Sequence, residues 1–167
     1  MESQVAHKIK HREIPNDEFY TPDELAKKLV KLVPVGKFDI ICDNAYGKGA
    51  FLRAFKGLEV AVYQANKKDF FKWTAKQDWF ITNPPYSSLN DWLEHSCKYA
   101  KKGFAYLLGL HNLTPKRIQM CEDYGFRITA IHLCKVFKWF GISAFIIWQK
   151  SVPQHKVKLT YDRVVWR

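Results

Sequence analysis

Phe38-Asp39-Ile40-Ile41-Cys42-Asp43-Asn44-Ala45-Tyr46-Gly47-Lys48-Gly49-Ala50-Phe51-Leu52 is the stretch from which the rest of the chain is read. Phe38 to Cys42 is a short apolar run with two adjacent isoleucines, the pattern of a buried strand. The run stops at Asp43. Gly47 and Gly49 then form a tight loop, because glycine accepts backbone angles closed to other residues. A short helix is predicted from Ala50 to Phe55.

The flanking segments continue the alternation. Upstream, Thr21 is a predicted N-cap, Pro22 a first helical residue and Glu24 the partner in a capping box. That helix is expected to run to Val33, with Leu25, Leu29, Leu32 and Val33 at helical spacing, and to end at Pro34 and Gly36. Downstream, strands are predicted over Leu58–Tyr63, Trp79–Thr82, Phe104–Leu108, Arg127–Leu133 and Ala144–Gln149. Helices are predicted over Leu89–Ala100 and after Thr114-Pro115, and the tail from Lys156 to Val165 reads as an edge strand. The fold class is α/β with a mainly parallel sheet. The short basic link Lys135 to Gly141 suits an antiparallel pair at the sheet's C-terminal end. Residues 1–18 read as a basic arm and residues 19–167 as a single domain.

The chain's 167 residues carry a net charge of +11, which favours a polyanionic partner, nucleic acid first. The four cysteines are widely spaced without a CxxC pair, and the histidines lack HExxH spacing, so no metal site is expected. No apolar run is long enough for a membrane span. The start from Met1 to Arg12 is polar and basic rather than a secretory signal. The expected location is intracellular, in a cytoplasmic, nucleoid or viral setting.

The chemistry concentrates in Asn83-Pro84-Pro85-Tyr86, directly behind a predicted strand. Two prolines stiffen the backbone and remove two donors. The Asn83 side chain and the carbonyls of Asn83 and Pro84 then stand as rigid acceptors for an amino group. Tyr86 offers a flat face for a planar amide or base. Ligands in open α/β sheets bind beyond the carboxyl ends of the strands. The loops after Cys42 and Thr82 both lie at such ends and can share one site.

The tetrapeptide resembles the catalytic sequence of the adenine-specific amino-methyltransferases. It also occurs in enzymes that methylate the glutamine of release factors. The resemblance implies a Rossmann-like methyltransferase fold and S-adenosylmethionine as cofactor. It also implies catalytic roles for Asn83, Pro84, Pro85 and Tyr86, with Tyr86 stacking on a flipped base. Asp43 to Leu52 is similar to the family's cofactor loop, which brings Asp43, Ala45, Gly47 and Gly49 to the cofactor. Phe19-Tyr20-Thr21-Pro22 resembles a cofactor-contacting segment upstream of that loop, with Tyr20, Thr21 and Pro22 as contacts. Its position favours adenine over glutamine as the target. Asp69-Phe70-Phe71 resembles the segment where the acid (Asp69) accepts from the cofactor's adenine and the aromatic (Phe70) packs beside it. Asn83 is shared between cofactor and target. The resemblance spans Phe19 to Ser88.

The sequence departs from the family at four places, one being the very short stretch from Asn66 to Asp69, which leaves out the usual intervening helix. No acid ends the second strand, where Val60-Ala61-Val62-Tyr63-Gln64-Ala65-Asn66 leaves Gln64 or Asn66 as substitutes for the ribose contact. Asn44 stands where proline is common, and Lys48 stands between the loop glycines. Nucleic-acid contacts are expected from Tyr86, Ser87, Lys135, Lys138 and Trp139. Further phosphate contacts are expected from Lys98 to Lys102, Lys116-Arg117 and Lys150 to Lys158. The expected activity is adenine N6 methylation in nucleic acid, DNA before RNA, with a second subunit as a possible source of target recognition. The alternatives are a methyltransferase-fold nucleic-acid-binding subunit without useful activity, and a protein glutamine methyltransferase.

Overall fold

A computed structural model describes residues 20–65, 67–136, 141–153 and 156–163. The basic arm, Phe19, Asn66, Lys138 and Trp139 lie outside the described residues. In chain order the elements begin with α1 (Asp23–Val30), β1 (Ile40–Asp43), α2 (Ala50–Ala54) and β2 (Ala61–Gln64). They continue with α3 (Lys67–Phe70), β3 (Gln77–Thr82), α4 (Leu89–Tyr99) and β4 (Ala100–Gly109). The chain then forms α5 (Pro115–Asp123), β5 (Phe126–Cys134), β6 (Ser143–Lys150) and β7 (Lys158–Tyr161).

The seven strands form one sheet in the order β2-β1-β3-β4-β6-β5-β7. Pairing is parallel throughout except at β6, which runs antiparallel to both β4 and β5. This is the α/β sheet expected from the sequence, with the predicted antiparallel hairpin and edge strand. The chain leaves β1 toward β2 and returns to β3 on the other side of β1. The strand order therefore reverses between β1 and β3, and a crevice opens there at the carboxyl ends.

Helices cover both faces. Leu29, Val30 and Val33 of the first helical segment pack with Phe51, Ile81, Leu107 and Phe145 on one side. Trp92, Leu93 and Cys97 of α4 pack with Phe80, Phe104 and Trp148 on the other. Trp79 to Ile81 of β3 and Phe104 to Leu108 of β4 read as continuous apolar runs because both faces of the sheet are buried there.

Several boundaries differ from the sequence expectation. The N-cap of α1 is Pro22 in extended conformation, not Thr21, and no side chain caps the helix. Glu24 pairs with Lys27 instead of closing a capping box. The helix stops at Val30 because the next turn tightens, Leu32 N–H donating to Leu29 C=O and Val33 N–H to Val30 C=O. Phe38 is not in β1. It sits in a turn at φ +67° with its side chain exposed, and its N–H donates to Glu59 C=O at 2.8 Å. Leu58 is likewise in a turn and exposed, so β2 begins at Ala61. Thr114 does cap α5, accepting from the Arg117 N–H.

Gly103 marks the tightest contact in the sheet. A Cβ there would lie 2.3 Å from the Trp148 carbonyl oxygen and 2.5 Å from the Trp79 ring. Both are buried and held by neighbours, so neither can yield cheaply. Gly103→Ala should lower unfolding stability by about 1–3 kcal/mol or more. Gly141, with nothing near its Cβ position, is the control, and Gly141→Ala should stay within about 0.5 kcal/mol in the same urea titration.

Candidate active site

The loop after β1 is built from its backbone outward. Gly47 and Gly49 hold φ of +49° and +76°, where a side chain is strained. The turn closes as Gly49 N–H donates to Tyr46 C=O at 2.6 Å. Arg53 locks it from α2, donating to the Lys48 carbonyl at 2.5 Å and gripping both carboxylate oxygens of Asp23 at 3.0 and 2.6 Å. The loop, α2 and α1 are thereby joined.

Beneath the loop lies a buried polar layer, of which the sequence pointed to Asp43 but not to its partners. Asp43 is 1% exposed, and its Oδ1 accepts from the Thr82 hydroxyl at 2.7 Å. Its Oδ2 has no hydrogen-bond partner among the described residues. Burial pushes the Asp43 carboxyl up to about 7, against the pull of the Thr82 hydroxyl and the nearby Ala45 and Leu52 amides. Asn44 donates to the Tyr106 hydroxyl at 2.9 Å, and that hydroxyl also bonds Ser96. The signal available in sequence was a polar residue inside or ending an otherwise apolar strand: Thr82 in β3 and Tyr106 in β4.

The second loop follows β3. Pro84 and Pro85 are buried, and Pro85 is extended at ψ +134°. A 3-10 turn over Tyr86–Ser88 leads into α4, and the Trp92 indole N–H donates to Ser88 Oγ at 3.1 Å. Tyr86 is partly buried against the core, and Ser87 is exposed.

A shallow cleft open to solvent lies where the two loops meet. Its walls are Tyr20, Thr21, Ala45, Tyr46, Gly47, Lys48, Ala50, Phe51 and Asn83. Six of the residues expected around the cofactor from sequence thus bear on one place: Tyr20, Thr21, Ala45, Gly47 and Asn83 in the wall, and Asp43 underneath. Gly49 is buried in the loop itself, and Pro22 is displaced to the N-cap of α1. Pro84, Pro85 and Tyr86 continue from Asn83 outside the wall.

Asp69 and Phe70 do not join the cleft wall. Asp69 is exposed on α3. Phe70 is fully buried, stacked on Trp92 at 4.4 Å and edge-on to Phe80 at 5.5 Å, so it offers no face to a ligand. Phe71, 42% exposed, is the accessible aromatic of that segment. Gln64, at the end of β2, is exposed and stands beside Asp43 in the strand register.

The basic segments separate between the two edges of the sheet. Lys116, Arg117 and Lys135 follow the carboxyl ends of β4 and β5, on the side of the cleft. Arg117 there holds Asn112 and Asn90. Lys98 and Lys102 lie near the start of β4, at the opposite edge, paired with Glu94 and Asp39. Lys150 ends β6 at that same far edge.

Solved structures share this architecture. The fold is shared with several solved methyltransferases. A putative RNA methyltransferase from Pyrococcus horikoshii matches over 91% of this chain and 100% of its own, with TM-score 0.60 and 14% identity. Magnesium protoporphyrin IX methyltransferase from Synechocystis, with bound S-adenosylmethionine, matches over 77% of each chain, with TM-score 0.59 and 14% identity. A modification subunit of a putative type I restriction enzyme from Vibrio vulnificus matches over 93% of this chain, with TM-score 0.63 and 13% identity. This chain spans about half (52%) of that subunit. No protein-family model matches the chain, and no curated protein matches it. No helix among the described residues is long and apolar enough to cross a membrane.

The buried carboxyl gives a pH test. Asp43 binds its proton more tightly folded than unfolded, so its contribution to stability is present below the ordinary value near 3.8 and is lost as pH rises through about 7. Asp43→Asn, neutral at every pH, removes that dependence. From pH 4 to pH 8 the stability of wild type relative to Asp43→Asn should fall by on the order of 2–4 kcal/mol. Paired urea titrations measure it, and a constant difference would show that the carboxyl is not perturbed.

Proposed function

We propose that the chain is an S-adenosylmethionine-dependent methyltransferase acting on the exocyclic amino group of adenine in nucleic acid, DNA before RNA. The observation that carries this reading is the position of Asn83. It leaves β3 at the reversal of strand order and lines the same cleft as the glycine loop of β1.

The residues present fit the cofactor. The backbone at Gly47 and Gly49 makes a cradle that only glycine forms without strain, and the Tyr20 ring lies 3.4 Å from where a Cβ at Gly47 would stand. Two buried acceptors beneath the loop, Asp43 Oδ2 and Asn44 Oδ1, have no hydrogen-bond partner among the described residues. The cofactor supplies a methyl group made electrophilic by a sulfonium. The chain's part is positioning. Asn83 Oδ1 and the Pro84 carbonyl accept the hydrogens of the target amino group and aim its lone pair. The buried prolines keep those acceptors from rotating away. Tyr86, three residues beyond Asn83, takes the face of a base flipped out of its helix. Target choice rests with a separate subunit or region, a reading supported by the likeness to about half of a modification subunit.

One observation favours a second reading, a binding subunit that does not transfer methyl groups. Gln64, an uncharged residue, ends β2 where the resembling family carries an acid for the ribose.

Transfer of labelled methyl groups to adenine-containing oligonucleotides separates the two. Asn83→Ala should lower transfer by about 100-fold or more, with cofactor affinity close to wild type. Undiminished transfer would remove Asn83 from catalysis, and no transfer by wild type would leave the binding reading. In a second measurement, nucleic-acid affinity should fall along a straight line in log salt. A flat response would reject the basic contact surface.

A further inference from the structure

We propose that Lys48 is the counter-ion for the carboxylate at the amino-acid end of the cofactor; the inference rests on the reading that S-adenosylmethionine binds in the cleft. Lys48 sits between Gly47 and Gly49 and lines the cleft wall. Its backbone is pinned by the Arg53 guanidinium on its carbonyl, so the side chain departs from a fixed point. The ammonium lies 4.2 Å from the centroid of the Tyr20 ring, another residue of the wall. No carboxylate pairs with it among the described residues: Asp23 is engaged by Arg53, and Asp43 lies buried on Thr82. The cleft wall therefore presents one cation and no anion.

The cofactor carries a single anionic group, the carboxylate, beside a cationic sulfonium and a cationic amine. An ammonium in the wall attracts the first and repels the other two. The bound arrangement that satisfies Lys48 thus puts the carboxylate on the glycine loop. The same charge opposes the sulfonium, so Lys48 favours the neutral thioether product over the substrate. The odd residue of the glycine loop becomes a specificity device for the amino-acid end.

The experiment is calorimetric binding of three probes to wild type, Lys48→Met and Lys48→Arg. The probes are S-adenosylhomocysteine, S-adenosylmethionine and 5′-deoxy-5′-methylthioadenosine, which lacks the carboxylate and amine. Lys48→Met should bind S-adenosylhomocysteine about 5–10-fold more weakly and leave methylthioadenosine unchanged. The preference for S-adenosylhomocysteine over S-adenosylmethionine should shrink, and Lys48→Arg should keep most of the wild-type affinity. Equal or tighter binding of S-adenosylhomocysteine by Lys48→Met would overturn the inference while leaving the cofactor reading intact. Equal weakening of all three probes would make Lys48 a structural residue of the loop and also overturn it. Failure of wild type to bind any probe would overturn the cofactor reading and the inference together.

Discussion

The hydrogen bond from the Thr82 hydroxyl to the Asp43 carboxyl ties the last residue of β1 to the last residue of β3. The two loops that make the cleft leave from those residues. Parallel strands carry no short turn between them, so their ends are free to splay unless something holds them. A buried charge would be a costly clamp, because desolvation disfavours it. The carboxyl's rise to about 7 shows the cost and its remedy, since the protonated form needs less solvation. Asn44, Tyr106 and Ser96 extend the same layer across to β4 and α4. Polar groups thus fix the floor of a site whose surroundings are apolar, and a network of that kind admits one arrangement more readily than an apolar core does.

The fold was legible because its signals are local. Apolar runs of strand length, two of them followed at once by glycine or Asn-Pro-Pro, mark the alternation, and Trp79 to Ile81 and Phe104 to Leu108 appear as unbroken hydrophobicity. The boundaries were less so. Phe38 and Leu58 read as strand because hydrophobicity alone places them inside. They are exposed because each belongs to a turn: Phe38 at positive φ, Leu58 with its N–H on the Phe55 carbonyl. Thr21 reads as a cap because threonine before proline commonly is one. Extended geometry at Pro22 moves the helix start one residue on and turns Thr21 toward the cleft wall.

The candidate site was legible in its backbone and not in its floor. Gly47 announces itself through a residue type that constrains the chain, and Asn83 through the two prolines that follow it, whereas Ala45 came only with the family resemblance. Thr82, Tyr106 and Ser96 do not announce themselves, because a hydroxyl in an apolar run is compatible with many partners, and only the sheet order brings these together. Phe70 shows the opposite failure. Its neighbours in sequence matched a ligand-contacting pattern, yet α3 is a single short turn, and the ring falls into the core against Trp92 and Phe80. A pattern match says which residues are present; the length of the intervening segment decides which way they face.

Net charge in sequence is also not charge at a site. The +11 balance attracts a polyanion from a distance, but contact depends on where cations stand and whether they are already committed. Lys102 is held by the buried carboxylate of Asp39, which also accepts from the Trp79 indole, so that lysine belongs to the fold. Lys98 answers Glu94 on the same helix. Arg117 spends its guanidinium on Asn90 and Asn112, fixing the turn after β4 to the start of α4 beside the Tyr86 turn. Lys116 and Lys135 remain exposed on the cleft's edge of the sheet. A strand of nucleic acid seated over the cleft would therefore meet a few cations among the described residues, set beside a rigid rim.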